Sequence, residues 1–207
     1  MSAPSSMSYS DAQECSFARV GKSWPNSSDY TNFYPVVYES AKSLSDPELC
    51  DLRDWYHAKS LDGRPMDISQ LNSSELIKFS NSVSCVHMLY NDNEDEDESL
   101  GDRPIDFLVK IASKRFEDIM GDIPPVRARE NYPSYYFKRW FNVLDDCVKM
   151  RKPVGCLSAV VSVDQCLYHS ESLLLPIQKN GKIVRIIVGS AFRPTGIEKL
   201  MTPKDIM

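Results

Sequence analysis

Apolar positions along this chain crowd most densely between Val154 and Phe192, in three short runs, VGCLSAVVSV, HSESLLLPI and IVRIIVGSAF. The second and third are separated by Asn180-Gly181, the strongest short hairpin signal, and the first two by the short polar link Asp164-Gln165. Strands joined this closely predict an antiparallel meander, because a parallel pair needs a crossover of about a dozen residues. Leu173, Leu174 and Leu175 are consecutive, so their side chains must point to both faces. The last run is read the same way, with Ile183 and Ile187 on one side and Val184, Ile186, Val188 and Phe192 on the other. A sheet apolar on both faces has to be covered twice.

The rest of the chain supplies the covers. Ser45-Asp46-Pro47-Glu48 reads as a capping box with proline in the first turn, opening a leading helix over 45–60. Leu49, Leu52, Trp55 and Tyr56 follow at helical spacing until Leu61-Asp62-Gly63. Asn72-Ser73-Ser74-Glu75 starts a shorter helix with Leu76, Ile77 and Phe79. Ser82–Tyr90 and Ile105–Ser113 read as strands, and KRFEDIM (114–120) as a short helix stopped by Gly121. A long helix from Pro133 to Met150 carries Phe137, Trp140, Phe141, Leu144 and Val148 as an apolar stripe. The expected fold class is α+β: a five-stranded antiparallel sheet, a helical crossover on one face and a leading N-terminal helix on the other.

Composition narrows the picture. The 207 residues suit one domain, expected over 41–194. A flexible Ser/Asn/Tyr-rich arm over 1–40 precedes it, and a tail over 195–207, with one helical turn near Ile197–Met201, follows. The formal charge of −5 includes six acids between Asp92 and Glu98, so the remainder nets +1. That run predicts a solvated loop over 91–103, since a Ca²⁺ loop wants glycine at its sixth position, where counting from Asp95 gives Leu100. No basic footprint points to nucleic acid or a membrane surface, and no run approaches the roughly 18 apolar residues of a membrane span. Six cysteines without zinc spacing read as reduced and packed, so a soluble cytoplasmic protein is expected.

Three segments carry a resemblance. DLRDWYHAKSLDGRPM (51–66), DFLVKIASKRFEDIMGD (106–122) and ESLLLPIQKNGKIVRIIVGSAF (171–192) resemble an alphaproteobacterial stand-alone PAS-like family across residues 46–193. They correspond to its Leu-aromatic leader with a Gly-Arg-Pro turn, its second strand with the following short helix, and its Leu-Leu-Pro closing hairpin. The chain departs from the family where arginine and a Gly-Thr pair are usual on the second strand, holding Val109-Lys110 and Ala112-Ser113 instead. The resemblance implies a PAS fold, whose space between long helix and sheet either holds a ligand or is filled by side chains.

Tyr136, Trp140 and Leu144 would then wall that space, with Ser158 or Ser162 adding polar groups from the sheet. Haem is not expected, because 114–150 contains no histidine and His57, His87 and His169 lie elsewhere. A flavin photosensor is not expected either, since no cysteine lies between 86 and 146; Cys147 and Cys156 read as core fillers. No catalytic or metal-ligating set stands out. The expected function is a non-enzymatic PAS sensory or signalling module that binds a small ligand, a signalling protein partner, or both. A ligand-free homodimeric adaptor, joined through Leu52, Trp55 and Tyr56 of the leading helix, is the alternative, and an unrecognised enzyme a third.

Overall fold

A computed structural model describes residues 37–60, 63–91, 103–132, 134–162 and 166–196. The first strand, β1 (Val37–Ser40), precedes helix α1 (Pro47–His57), the two-residue strand β2 (Met66–Asp67) and the short helix α2 (Ser73–Leu76). Strands β3 (Val83–Leu89) and β4 (Asp106–Ile111) form a hairpin. Helices α3 (Lys114–Met120), α4 (Ala128–Asn131) and α5 (Ser134–Met150) lead to strands β5 (Val154–Val161), β6 (Leu167–Lys179) and β7 (Lys182–Pro194).

The meander forms as expected. Asn180 and Gly181 both take positive φ, 52° and 82°, which is what a tight two-residue hairpin turn requires. The last strand pairs back onto the first hairpin, giving the order β1-β5-β6-β7-β3-β4, with β2 alongside β6. The sheet therefore has seven strands among the described residues where five were expected, and every pairing but β2–β6 is antiparallel. Both additions are short pieces that sheet pairing recruits without a hydrophobic run of their own. β1 lies inside the stretch read as a flexible arm over 1–40, and pairs Val37–Ser40 with Leu157–Val154. β2 takes the place beside Ile177 and Gln178 that β5 leaves open. The rest of the arm, residues 92–102 of the acidic loop and the tail beyond 196 lie outside the described residues.

Both faces are covered, and each cover has its own core. On one, Leu49, Leu52 and Tyr56 of α1 pack on Leu173, Leu175, Ile177, Ile187 and Ala191. On the other, Phe116, Tyr136, Leu144 and Cys147 from the crossover pack on Leu174, Ile186 and Val188. Leu173–Leu175 divide between faces as a strand demands, but Ile183 and Ile187 do not share a side. The register shifts so that Ile177 faces Arg185 while Gln178 faces Ile183, leaving Val184 as an extra residue. This bulge moves Ile183 onto the α5 side with Ile186 and Val188.

The leading helix is set by its first turn. Asp46, rather than Ser45, is the N-cap, accepting from the amides of Glu48 (3.0 Å) and Leu49 (3.2 Å), with Pro47 at the first helical position. Ser45 is released from capping because it donates to Glu171 of β6 through its amide and its hydroxyl, the latter at 3.0 Å. The far end is fixed by Tyr56, whose hydroxyl donates to Pro176 O (2.7 Å) and accepts from the Met66 amide (3.2 Å).

Candidate functional site

Helix α5 crosses the sheet face formed by β5, β6 and β7, where the register lines up two lateral rows. Ser158, Ser170 and Phe192 are neighbours in one row, and Cys156, Ser172 and Ser190 in the next. Four serines thus occupy the interior face at positions that would suit aliphatic residues. Above them α5 places Arg139, only 8% exposed, and Trp140, whose ring stands edge-on to Phe116 at 5.5 Å. A cavity of about 30 Å³ remains, bounded by Arg139, Trp140, Ser158, Ser170, Ser172 and Cys156 and closed by Val143, Val160 and Leu174. That is room for one or two waters or a group of similar size.

The polar atoms are unevenly satisfied. The Arg139 guanidinium donates to the Ser158 hydroxyl, which itself donates to Ala159 O at 3.2 Å. The indole N–H of Trp140 is buried without an acceptor, and so is the Ser190 hydroxyl without a partner, although Ser190 is fully buried. Buried polar groups of native proteins are nearly always hydrogen-bonded, so two orphans beside one cavity need an explanation. The Cys156 thiol is pushed up to about 12 by burial, opposed by the positive Arg139, and Cys147 is pushed well up by burial too. Both stay protonated at neutral pH and pack as apolar groups.

The sequence-predicted site residues divide. Trp140 and Ser158 meet at the cavity. Tyr136 (4% exposed) and Leu144 (1%) belong to the surrounding core instead, Tyr136 standing edge-on to Tyr132 at 5.2 Å. Ser162 does not reach the space. It lies just past the end of β5, where its amide donates to Cys166 O at 2.8 Å and its hydroxyl accepts from the Cys166 amide at 3.2 Å. Arg139, Ser170, Ser172 and Ser190 were missed, and each interrupts an apolar period.

The interface residues are corrected as well. Leu52 and Tyr56 are 0% and 1% exposed, turned onto the sheet rather than toward a partner. Trp55 stands on the flank of α1, where its indole donates to Glu75 at 2.7 Å and the Lys59 ammonium sits 5.8 Å above its ring. The hydrophobic surface that suggested a dimer is consumed within the chain.

A larger groove, about 520 Å³, runs between β1, the end of α5 and the turn at Gly63, lined in part by Tyr38, Lys42, His57, Met150 and Lys152. It is open to solvent, and size alone does not make it the better site. The Tyr38 hydroxyl beside it donates to Asp146 at 2.7 Å, and burial with that carboxylate raises its pKa strongly. Among the described residues no cluster of three metal-ligating side chains occurs. No helix among them is long and apolar enough to cross a membrane. Compared with protein-family models, curated proteins and solved structures, the chain gave no significant match.

Proposed function

We propose that the chain is a non-enzymatic PAS-like sensory module of the cytoplasm that holds a small ligand between α5 and the sheet. The observation that carries this reading is the cavity walled by Arg139, Trp140, Ser158, Ser170 and Ser172, beside which two buried polar groups have no partner. A space filled only for packing would be lined with aliphatic side chains, since a buried orphan costs about 1–3 kcal/mol. The arrangement of hairpin, helical crossover and closing meander, joined through β3 and β7, supports the resemblance to PAS domains. Free thiols at Cys50, Cys85, Cys147, Cys156 and Cys166 support a reducing compartment. The serines, guanidinium and indole offer hydrogen bonds, which suits recognition rather than turnover.

Native mass spectrometry of protein purified from its own host tests the reading. An added mass no larger than a cavity of about 30 Å³ admits, lost in a Ser172→Leu variant that fills the cavity, is the expected result. A clean apo mass, together with an unchanged melting temperature across a small-metabolite panel, overturns it and leaves a protein-docking role.

A further inference from the structure

We infer a docking surface on the face of the sheet opposite the cavity, where β3 and β4 run out from under the leading-helix cover. It takes an acidic, partly apolar segment of another protein, with Ile111, Leu108 and Cys85 as its apolar floor and Arg185 and Lys110 as its cations. It stands or falls independently of the cavity.

The register shows where the cover gives out. Leu175, Ile187, Cys85 and Ile111 are lateral neighbours on this face, and exposure climbs from 0% and 1% at Leu175 and Ile187 to 61% at Ile111. In the adjoining row Ile177 is fully buried, whereas Arg185, His87 and Leu108 are only half-buried. Helix α1 with Ile68, Leu71 and Phe79 shields the β6–β7 ends of both rows, reaches as far as Cys85, and leaves Ile111 open. One exposed aliphatic residue is ordinary in a folded protein, so the apolar floor gains meaning only from what stands beside it.

Charge selects the occupant. Strands β3, β4 and β7 hold one acid between them, Asp106, and its buried carboxylate accepts from the amides of Phe107 (2.8 Å) and Arg129 (3.0 Å). Among the described residues neither Arg185 nor Lys110 is in a salt bridge. The pKa of His87 lies below its ordinary value, by burial first and then by repulsion from Arg185 and Lys110, so both cations flank one imidazole. Two unpaired cations attract carboxylates, and the floor between them receives an apolar side chain, which together is the chemistry of an acidic amphipathic segment. A nucleic acid or an anionic lipid surface calls for a longer run of cations than these two.

The test uses the full chain and fluorescence anisotropy with a short labelled peptide of Glu-Glu-Leu repeats, set against Gln-Gln-Leu, Lys-Lys-Leu and Glu-Glu-Ser counterparts. The Glu-Glu-Leu peptide should bind saturably, and the other three at least about fivefold more weakly, since each lacks the charge or the apolar half. Arg185→Gln and Lys110→Gln should each weaken binding about two- to fivefold and Ile111→Ser about fivefold. Lys152→Gln, an exposed cation beyond the end of α5, should leave it unchanged. Lys110 and Ile111 are exposed, so their variants keep the test alive even if Arg185→Gln does not fold.

Equal binding of the Gln-Gln-Leu peptide, no binding of any peptide, or binding indifferent to all three variants overturns the inference. Two other occupants would overturn it as well. Sedimentation as a dimer that Ile111→Ser dissociates assigns the surface to a second copy of the chain. Peptide binding that emerges only when Asp92, Glu94, Asp95, Glu96, Asp97 and Glu98 are changed to their amides assigns it to the chain's own acidic run. None of these results touches the cavity, whose occupant is read by mass.

Discussion

Glu171 is an acid in the middle of β6, between Ser170 and Ser172, and its replacement by glutamine is the most informative single change to the scaffold. Its carboxylate is buried and accepts from the Ser45 amide, from the Ser45 hydroxyl at 3.0 Å and from the Asp46 amide at 3.2 Å. Arg193 approaches at 3.4 Å from a half-exposed position, which makes that pair worth little. The three remaining bonds are charge-assisted, each worth about 1.5–3 kcal/mol in mutational terms. Glutamine keeps one acceptor oxygen and turns an NH₂ toward donors, so about half of the network is lost. Leu49 and Leu52 still hold α1 to the sheet, which limits the damage. The expected cost of Glu171→Gln is therefore about 2–3 kcal/mol, or a melting temperature lower by about 4–12 °C for a chain of this size. Urea unfolding at pH 7 measures it. A double-mutant cycle with Ser45→Ala should show a coupling of about 1 kcal/mol, whereas Arg193→Ala alone should cost under about 0.5 kcal/mol. A Glu171→Gln protein within about 0.5 kcal/mol of the parent would refute the idea that this carboxylate anchors the leading helix.

Three further outcomes follow from the packing and the titrations. Gly189 lies directly beneath α1, where an added Cβ meets the Cδ2 atoms of Leu49 and Leu52, each at 2.7 Å. Gly189→Val should cost about 2–3 kcal/mol in the same unfolding assay, and Leu49→Val should relieve part of it; strict additivity would mean that the helix does not sit there. Ser190→Ala removes a buried hydroxyl that has no partner, so the ligand-free protein should gain up to about 1 kcal/mol, and a loss of that size would reveal a bond made in solution. The Cys156 thiol, raised from 9.0 to about 12, stays protonated in the fold while the unfolded chain ionises. Its contribution is complete below pH 9 and is lost by about pH 12, so Cys156→Ala should flatten the alkaline fall in stability by about 1.4 kcal/mol per pH unit in that window.

What could be read ahead of the structure was whatever repeats. The hairpin at Asn180-Gly181, the division of Leu173–Leu175 and the span of α5 all announce themselves by period and turn chemistry, and all occur. The misses share a cause, since each depends on a partner distant in sequence. β1 has four residues and exists because β5 offers it an edge. Ile183 changes face through one unpaired residue in a neighbouring turn of the ladder. Ser45 reads as a cap until Glu171 claims both its donors. Leu52 and Tyr56 read as surplus surface only while the sheet face beneath them is uncounted.

The candidate site was half legible for a related reason. The apolar stripe marks Trp140 and the strand pattern of β5 marks Ser158, whereas the residues that break the stripes carry no periodic signal of their own. Arg139 stands beside Trp140 on a helix whose buried positions run through Tyr136, Val143 and Cys147. Ser170 and Ser172 alternate in phase with buried Leu174, and Ser190 in phase with Val188. A charged or hydroxyl side chain in the phase of a buried face carries a desolvation cost, about 1–3 kcal/mol unless its partners are supplied. A single such break is often met by a neighbouring carbonyl, as Tyr56 is by Pro176. Five breaks converging from four adjoining elements are harder to satisfy internally, and here the Ser190 hydroxyl remains unsatisfied, as does the neighbouring indole N–H of Trp140. The position of the site was thus encoded in the interruptions of the hydrophobic pattern, and only the sheet register shows that Ser158, Ser170, Ser172 and Ser190 interrupt it at the same place.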